Sequence, residues 1–443
     1  MLLRSGAARF AAGAYMLLAA GACADNRPSV LLVVEDTVRA DAVSAYGAVE
    51  GTTPFFDDLA AHGTLYRHAY SAAPWTAPSH ASLFTGREPL DHGVGVRRWT
   101  LPVELPTLAE RFAAIGYETV GFSENPLAGP LTGLARGFQT FGEEAVDGSS
   151  VAASLDRWLA GREGRRRPFF LFVNLIGAHA PHPSREPNRF VPPTSASAIA
   201  DLPQQVIPEP LCHRPLSPAA LAALRGLYLG DVAVVDAQLA KVVGQARAAA
   251  GERRLLTVVT SDHGEQFGER GQMGHLFGVA PSLLHVPLVV HGLGAQAGRE
   301  VAAPVALTGL GASLLAWVGD RAPFGVASSW LEAPPGAERA LRVPWVELDR
   351  LAGTTDRPLF AEIESQAREI REGCDDSDGL FGDRTAALAF PYQLIVSAHA
   401  GAELYDVERD PAGEHDLARE RPELVARLLR TLENDPESPR DAD

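Results

Sequence analysis

Three runs of this chain are apolar from end to end, and each stops at titratable side chains. Ser29-Val30-Leu31-Leu32-Val33-Val34 leads into Glu35-Asp36. Pro168 to Leu175 leads into Gly177-Ala178-His179-Ala180-Pro181-His182, and Arg254 to Thr260 leads into Ser261-Asp262-His263-Gly264-Glu265. A strand without polar alternation is covered on both faces, as in parallel sheets flanked by helices. Helical segments lie between the runs, at 53–63, 105–115, 152–159 and 218–250, with further strands at 64–70, 118–122 and 286–290. That alternation predicts a doubly wound α/β architecture. In such sheets ligands bind beyond the carboxyl ends of the strands, where the titratable clusters fall.

Two acids on a buried strand end are costly unless a cation or hydrogen-bond donors compensate them. Asp36 is therefore a candidate metal ligand and Glu35 a weaker one; otherwise both cap the following turn. Asp262 beside His263, with Gly264 allowing a tight turn, suits a metal site of carboxylate oxygen and imidazole nitrogen. Asp231 and Asp236, inside the long helix, read as solvated or paired, and His62 and His68 as surface or packing residues. A different chemistry is offered by Pro74-Trp75-Thr76-Ala77-Pro78-Ser79-His80-Ala81-Ser82-Leu83-Phe84-Thr85-Gly86. Pro78 suits a first helical turn and Gly86 a helix end. The Thr76 hydroxyl would sit over a helix N-terminus, where free N–H groups favour an oxyanion. It is either a nucleophile toward a phosphate or sulfate group or an ordinary N-cap.

The net charge of −16 argues against a nucleic-acid partner, which would want a basic face. It leaves an anionic substrate open, because a metal ion reverses the local field. Residues 1–24 read as an export signal. Arg4 and Arg9 precede an apolar run, Phe10 to Ala22, and Gly21-Ala22-Cys23 resembles a lipobox, so Cys23 is a candidate lipid anchor on a periplasmic or membrane-anchored bacterial protein. Cleavage by an ordinary signal peptidase is the rival. Cys212 and Cys374 could pair after export. The Pro-rich stretch from Pro183 to Pro218 reads as a lid, a specificity loop or a partly disordered segment. A catalytic unit over 28–320, a linker over 321–345 and a small α+β unit over 346–443 complete the expected organisation. The last unit has strands near 359–363, 392–396 and 404–406 and a helix at 422–432.

Taken together these motifs resemble the sulfatase family of the alkaline phosphatase superfamily. Val34 to Asp41 resembles the opening metal motif, Thr76-Ala77-Pro78-Ser79-His80 the nucleophile motif, and His179-Ala180-Pro181 the His-x-Pro segment. Ser261 to Glu265 resembles the second metal motif, Gly274-His275 follows in order, and Glu403 to Pro411 resembles the C-terminal signature. The resemblance implies a large central, mostly parallel mixed sheet flanked by helices, with a small C-terminal α+β subdomain. It implies that Asp36, Asp262, His263 and the Thr76 oxygen hold a divalent cation (calcium, manganese, magnesium or zinc), one site being preferred over two. A second site would draw on His179, His182, His275 and Asp231. Thr76 would attack sulfur or phosphorus in line, while His179 and His275 hold anionic oxygens or protonate the leaving alcohol. His80 stands where the family has an Arg near the nucleophile oxygen, and Arg39 and His182 are substrate-binding candidates. The substrate would be a small-molecule or glycan ester of sulfate or phosphate.

One departure bears on chemistry. Most sulfatases carry Cys or Ser, converted to formylglycine, where this chain has Thr76. The hydrated aldehyde expels sulfate by elimination; a plain threonine ester must be hydrolysed by water. Thr76 therefore leans toward phosphoryl or phosphonyl esters, as in the superfamily's phosphodiesterases and phosphonate hydrolases. A catalytically inactive relative that binds an anionic glycan is the alternative of a different class.

Overall fold

The three apolar runs lie side by side. Ser29–Glu35 is flanked in parallel by Phe169–Leu175 and Leu255–Ser261, with Glu35 level with both Leu175 and Ser261, so the three carboxyl ends finish together. The computed structural model describes residues 27–433 except 50, 96, 144–148, 163–166, 184–187, 203–215, 252–253, 276–277, 326–328, 330–340, 346–383 and 398–400. The signal with Cys23, Cys212 and Cys374, the strand expected near 359–363 and most of the linker lie outside the described residues.

The main sheet has eight strands, in the order Arg299–Val301, Thr64–Tyr66, Leu288–Gly292, Leu255–Ser261, Ser29–Glu35, Phe169–Leu175, Glu118–Ser123, Thr140–Glu143. Leu288–Gly292 runs antiparallel to both of its neighbours, so the sheet is mixed. Alternation along the central strand sorts the two cores. Val30, Leu32 and Val34 face one core with Ala77, Ala81 and Phe84 of the helix Thr76–Thr85. Leu31 and Val33 face the other, with Phe56, Leu155, Leu224 and Val232 from helices on that side.

Two expected strands are each split between sheets. Residues 64–70 break at Arg67-His68 into Thr64–Tyr66 in the main sheet and Ala69–Tyr70 in a side sheet. Residues 286–290 break at Pro287, which has no N–H for a ladder; His285–Val286 joins the side sheet and Leu288–Gly292 the main one. The two main-sheet strands not anticipated, Thr140–Glu143 and Arg299–Val301, lie at its two edges. An edge strand needs no continuous apolar run. Asp231 and Asp236 are both buried, so neither is solvated.

The C-terminal unit is a four-stranded antiparallel sheet of Leu341–Trp345, Arg384–Ala389, Tyr392–Ser397 and Gly401–Asp406. Its first strand falls inside the stretch read as linker. One face takes Leu424 and Leu428 of the helix Pro422–Glu433 against Ala387, Leu394 and Leu404. The other packs Ala386, Ile395 and Tyr405 on Val279, Ala280 and Leu283 of the main domain.

Candidate active site

Because the central strands end level, their following residues converge. Asp36 directly follows Ser29–Glu35, and its N–H donates to the Leu175 carbonyl at 2.8 Å. The chain then turns through Thr37 at φ 60°. Tyr228 of the helix Pro218–Ala250 fixes that turn: its hydroxyl donates to the Thr37 carbonyl and accepts from the Arg39 N–H, both at 2.9 Å. Asp262 and His263 follow Leu255–Ser261. The Asp262 Oδ1 accepts from the N–H of His263 at 2.9 Å and of Thr37 at 3.3 Å, which ties the two strand ends together.

Asp36, Asp262 and His263 bring one ligand atom each within 4.8 Å of one another, all fully buried. His263 Nδ1 donates to the Gly264 carbonyl at 2.9 Å, which leaves Nε2 as a lone pair. That nitrogen lies 3.4 Å from Asp262 Oδ2 and 3.8 Å from Asp36 Oδ1. Those two carboxylate oxygens are buried without a hydrogen-bond partner. Burial and the neighbouring Asp36 push Asp262 well above the usual carboxylate range. Burial would raise Asp36 too, but the imidazoles of His179 and His263 and the Asn125 amide outweigh it and hold Asp36 low. Orphaned acid oxygens facing an imidazole lone pair fit a hard or borderline divalent cation. Among the described residues this is the one such group of three.

Thr76 opens the helix Thr76–Thr85 as its first residue; the N-cap is Trp75, with no side-chain cap bond. The threonine is therefore not acting as a cap. Its Oγ1 accepts from Asn125 Nδ2 at 3.2 Å and lies 3.4 Å from His263 Nε2. The same amide donates to Asp36 Oδ2 at 2.7 Å. Asn125 is a site residue that the motifs did not flag, although it too follows the carboxyl end of a sheet strand, Glu118–Ser123. Ser79 fastens the helix to the loop after Leu255–Ser261 by donating to the Asp262 carbonyl at 2.7 Å.

The histidines divide. His80, one turn below Thr76, donates from Nδ1 to the Thr76 carbonyl at 3.0 Å and packs its ring on Phe84 and Phe172. It lies 3.5 Å from Asp262 Oδ2 and is wholly buried. It therefore backs Thr76 from the buried side of the helix and presents no atom to solvent. His179 and His275 have ring centres 5.0 Å apart, and that of His275 is 4.5 Å from His263. His275 Nδ1 lies 3.2 Å from Glu265 Oε2. Burial opposes its charge, but the Glu265 carboxylate outweighs this and raises the imidazole above its ordinary value. Burial and the neighbouring His275 push His179 down.

Three expected residues do not join the site. Glu35 points to the opposite face from Asp36, by strand alternation, where burial and Asp236 raise its pKa well up. Arg39 is spent on other partners: a two-point contact with Asp41 at 2.7 and 2.8 Å, Glu269 at 2.6 Å and the Glu265 carbonyl at 2.8 Å. It braces the loops instead of binding substrate. His182 pairs through Nδ1 with Asp231 Oδ2 at 3.1 Å, and its ring packs on Tyr228 and Phe267. That pairing takes up two of the side chains from which a second metal site would be built.

The sulfatase family model matches residues 28–320. The chain belongs to the sulfatase family. It is 34% identical over 125 residues, 27% of this chain, to a Δ4,5-hexuronate-2-O-sulfatase of Bacteroides thetaiotaomicron, and spans 26% of that relative's length. Against an ulvan-active sulfatase of Formosa agariphila it is 24% identical, covering 68% of this chain and 63% of the relative. A phosphonate monoester hydrolase of Agrobacterium radiobacter has the same fold, with TM-score 0.68, 18% identity and coverage of 92% of this chain and 95% of that one. Within this sulfatase fold, Asp36, Thr76, Asp262 and His263 share one end of the central strands.

Proposed function

We propose that this chain is a metal-dependent ester hydrolase in which Thr76 takes up the transferred group, with phosphoryl and phosphonyl esters favoured over sulfate. One observation carries the reading: a threonine hydroxyl at a helix N-terminus lies 3.4 Å from the imidazole nitrogen of a group in which one oxygen of each carboxylate is buried without a hydrogen-bond partner. Asp36, Asp262, His263 and the Thr76 oxygen would hold a divalent cation, whose Lewis acidity at that position would favour the alkoxide and polarise the ester. Asn125 orients the Thr76 oxygen and Asp36 together. Thr76 Oγ1, its proton released to solvent, forms a bond to phosphorus or sulfur as the bond to the leaving alcohol breaks. His275, held by Glu265, gives its proton to that alcohol, and His179 faces the anionic oxygens. Water then cleaves the Thr76 ester, releasing the acid and restoring the hydroxyl.

The family membership and the glycan sulfatases among the relatives support a sulfated sugar as the competing substrate class. The chemistry of an unconverted threonine favours phosphorus. Turnover of matched nitrophenyl sulfate, phosphate monoester, phosphodiester and phosphonate, with added manganese, calcium or zinc, separates them. Thr76→Ala is expected to lose at least about a thousandfold in kcat/KM on the active ester. Activity that survives in Thr76→Ala sinks the nucleophile. Binding of a sulfated or phosphorylated ligand with no turnover of any ester would favour an inactive binding protein.

A further inference from the structure

His275 follows a short hairpin, Gln266–Phe267 with Met273–Gly274, whose tip carries Glu269 and Arg270. The tip is gripped from two sides. Glu269 takes Arg39 of the main domain at 2.6 Å. Arg270 Nη2 reaches both carboxylate oxygens of Glu403 in the C-terminal sheet at 2.6 Å, with its guanidinium over the Tyr405 ring and the Tyr405 hydroxyl donating to Glu403. Arg270 sits at φ 56°, ψ 28°. A non-glycine residue keeps that left-handed conformation only where its surroundings over-determine it. Four residues past His275, the Val279 carbonyl accepts from the buried Gln393 Nε2 at 2.7 Å. The segment holding His275 is thus pinned to the C-terminal sheet on both sides of the histidine.

We propose that the C-terminal sheet positions the His275 imidazole over the reacting centre, through Glu403 on Arg270 and Gln393 on the Val279 carbonyl. The inference rests on the reading of His275 as the proton donor to the leaving alcohol. Glu403 and Gln393 touch no reacting atom; they are positioning residues. A proton donor matters most for a poor leaving group, so loosening it should spare an ester of an acidic phenol and slow one of a weak phenol.

The test compares 4-nitrophenyl with unsubstituted phenyl esters, as sulfates and as phenylphosphonates, using full-length protein. The double variant Glu403→Gln/Gln393→Leu is expected to lose about tenfold in kcat on the phenyl ester and less than about twofold on the nitrophenyl ester, with KM unchanged, as for a small misplacement. If that variant does not fold, Glu403→Gln alone must show a smaller split of the same sign. Exchanging the pair, Arg270→Glu with Glu403→Arg, must then restore phenyl-ester turnover. Equal losses on both esters, or no loss, would overturn the proposal. His275→Gln runs alongside. A split there without one in the double variant removes the brace but keeps the proton donor. No split in His275→Gln removes the proton donor and the brace with it, as does a wild-type chain silent on every ester.

Discussion

Glu35 and Asp36 are neighbours at one strand end, and the sheet sends them into opposite chemistries. Asp36 turns to the face of the Thr76 helix and meets Asp262; each has a buried oxygen with no partner, beside an imidazole lone pair. Glu35 turns to the other face and meets Asp236, whose two oxygens accept the N–H groups of Phe55 and Phe56 at 2.9 and 2.8 Å. Those donors belong to the open N-terminus of the helix Pro54–Ala61. Both pairs are acidic and buried. What separates them is whether the chain supplies a donor to every oxygen: backbone donors reach both oxygens of Asp236, while one oxygen each of Asp36 and Asp262 has none, which suits a cation.

The largest test of that contrast is a matched pair of amides. Asp36→Asn is expected to lower kcat/KM by at least about a thousandfold, the several kcal/mol that Lewis-acid stabilisation supplies. It should also remove manganese or zinc binding in a titration calorimeter. Glu35→Gln should leave both within about twofold. Equal losses in the two variants would break the comparison. Next in size is removal of the metal. With metal at a hundredfold over its Kd, chelation should cost about 3 kcal/mol of stability. In chelated protein, Asp262→Asn should unfold at a higher temperature than the wild type, because it removes a like charge beside Asp36. Added metal should then shift it little. A variant less stable than chelated wild type would mean that hydrogen bonds, not a cation, balance Asp262.

Much of this is legible in the sequence, for a physical reason. A run apolar on both faces has few places to go other than the middle of a sheet, and the carboxyl ends of such strands are where ligands gather. Asp36, Asp262, His263 and His179 were found that way. Asn125 carries no charge and lies two residues past a strand, Glu118–Ser123, whose sequence is not a continuous apolar run, so nothing marks it. Arg39 beside an anion site reads as a substrate binder, yet one partner, Asp41, is two residues on and another, Glu269, is 230 residues away. The Asp41 contact was visible; the Glu269 contact belongs to tertiary structure. The same holds for His182, whose Asp231 partner lies 49 residues along the chain. The face of Glu35 could have been read, since period-two alternation puts it opposite Asp36.

The smallest expected effect sharpens the contrast from the structural side. Burial raises the Asp236 pKa to about 6 in the folded chain, against the two N–H donors that lower it, while an unfolded Asp titrates near about 3.9. A raised acid contributes stability that is fully present below the unfolded value and lost as pH rises through the folded one. On this account the wild type loses stability between about pH 4 and pH 6, by roughly 3 kcal/mol at most. Asp236→Asn cannot ionise and should lack that slope, although its amide keeps one acceptor for the Phe55 and Phe56 donors. Urea unfolding at about pH 4.5 and 7.5 checks this, because the difference between variant and wild type must move in favour of the variant as pH rises. Movement the other way would mean that the helix N-terminus stabilises the Asp236 carboxylate more than burial penalises it. The acid would then be a charged cap, and the two faces of the sheet would differ only in which positive group each one meets.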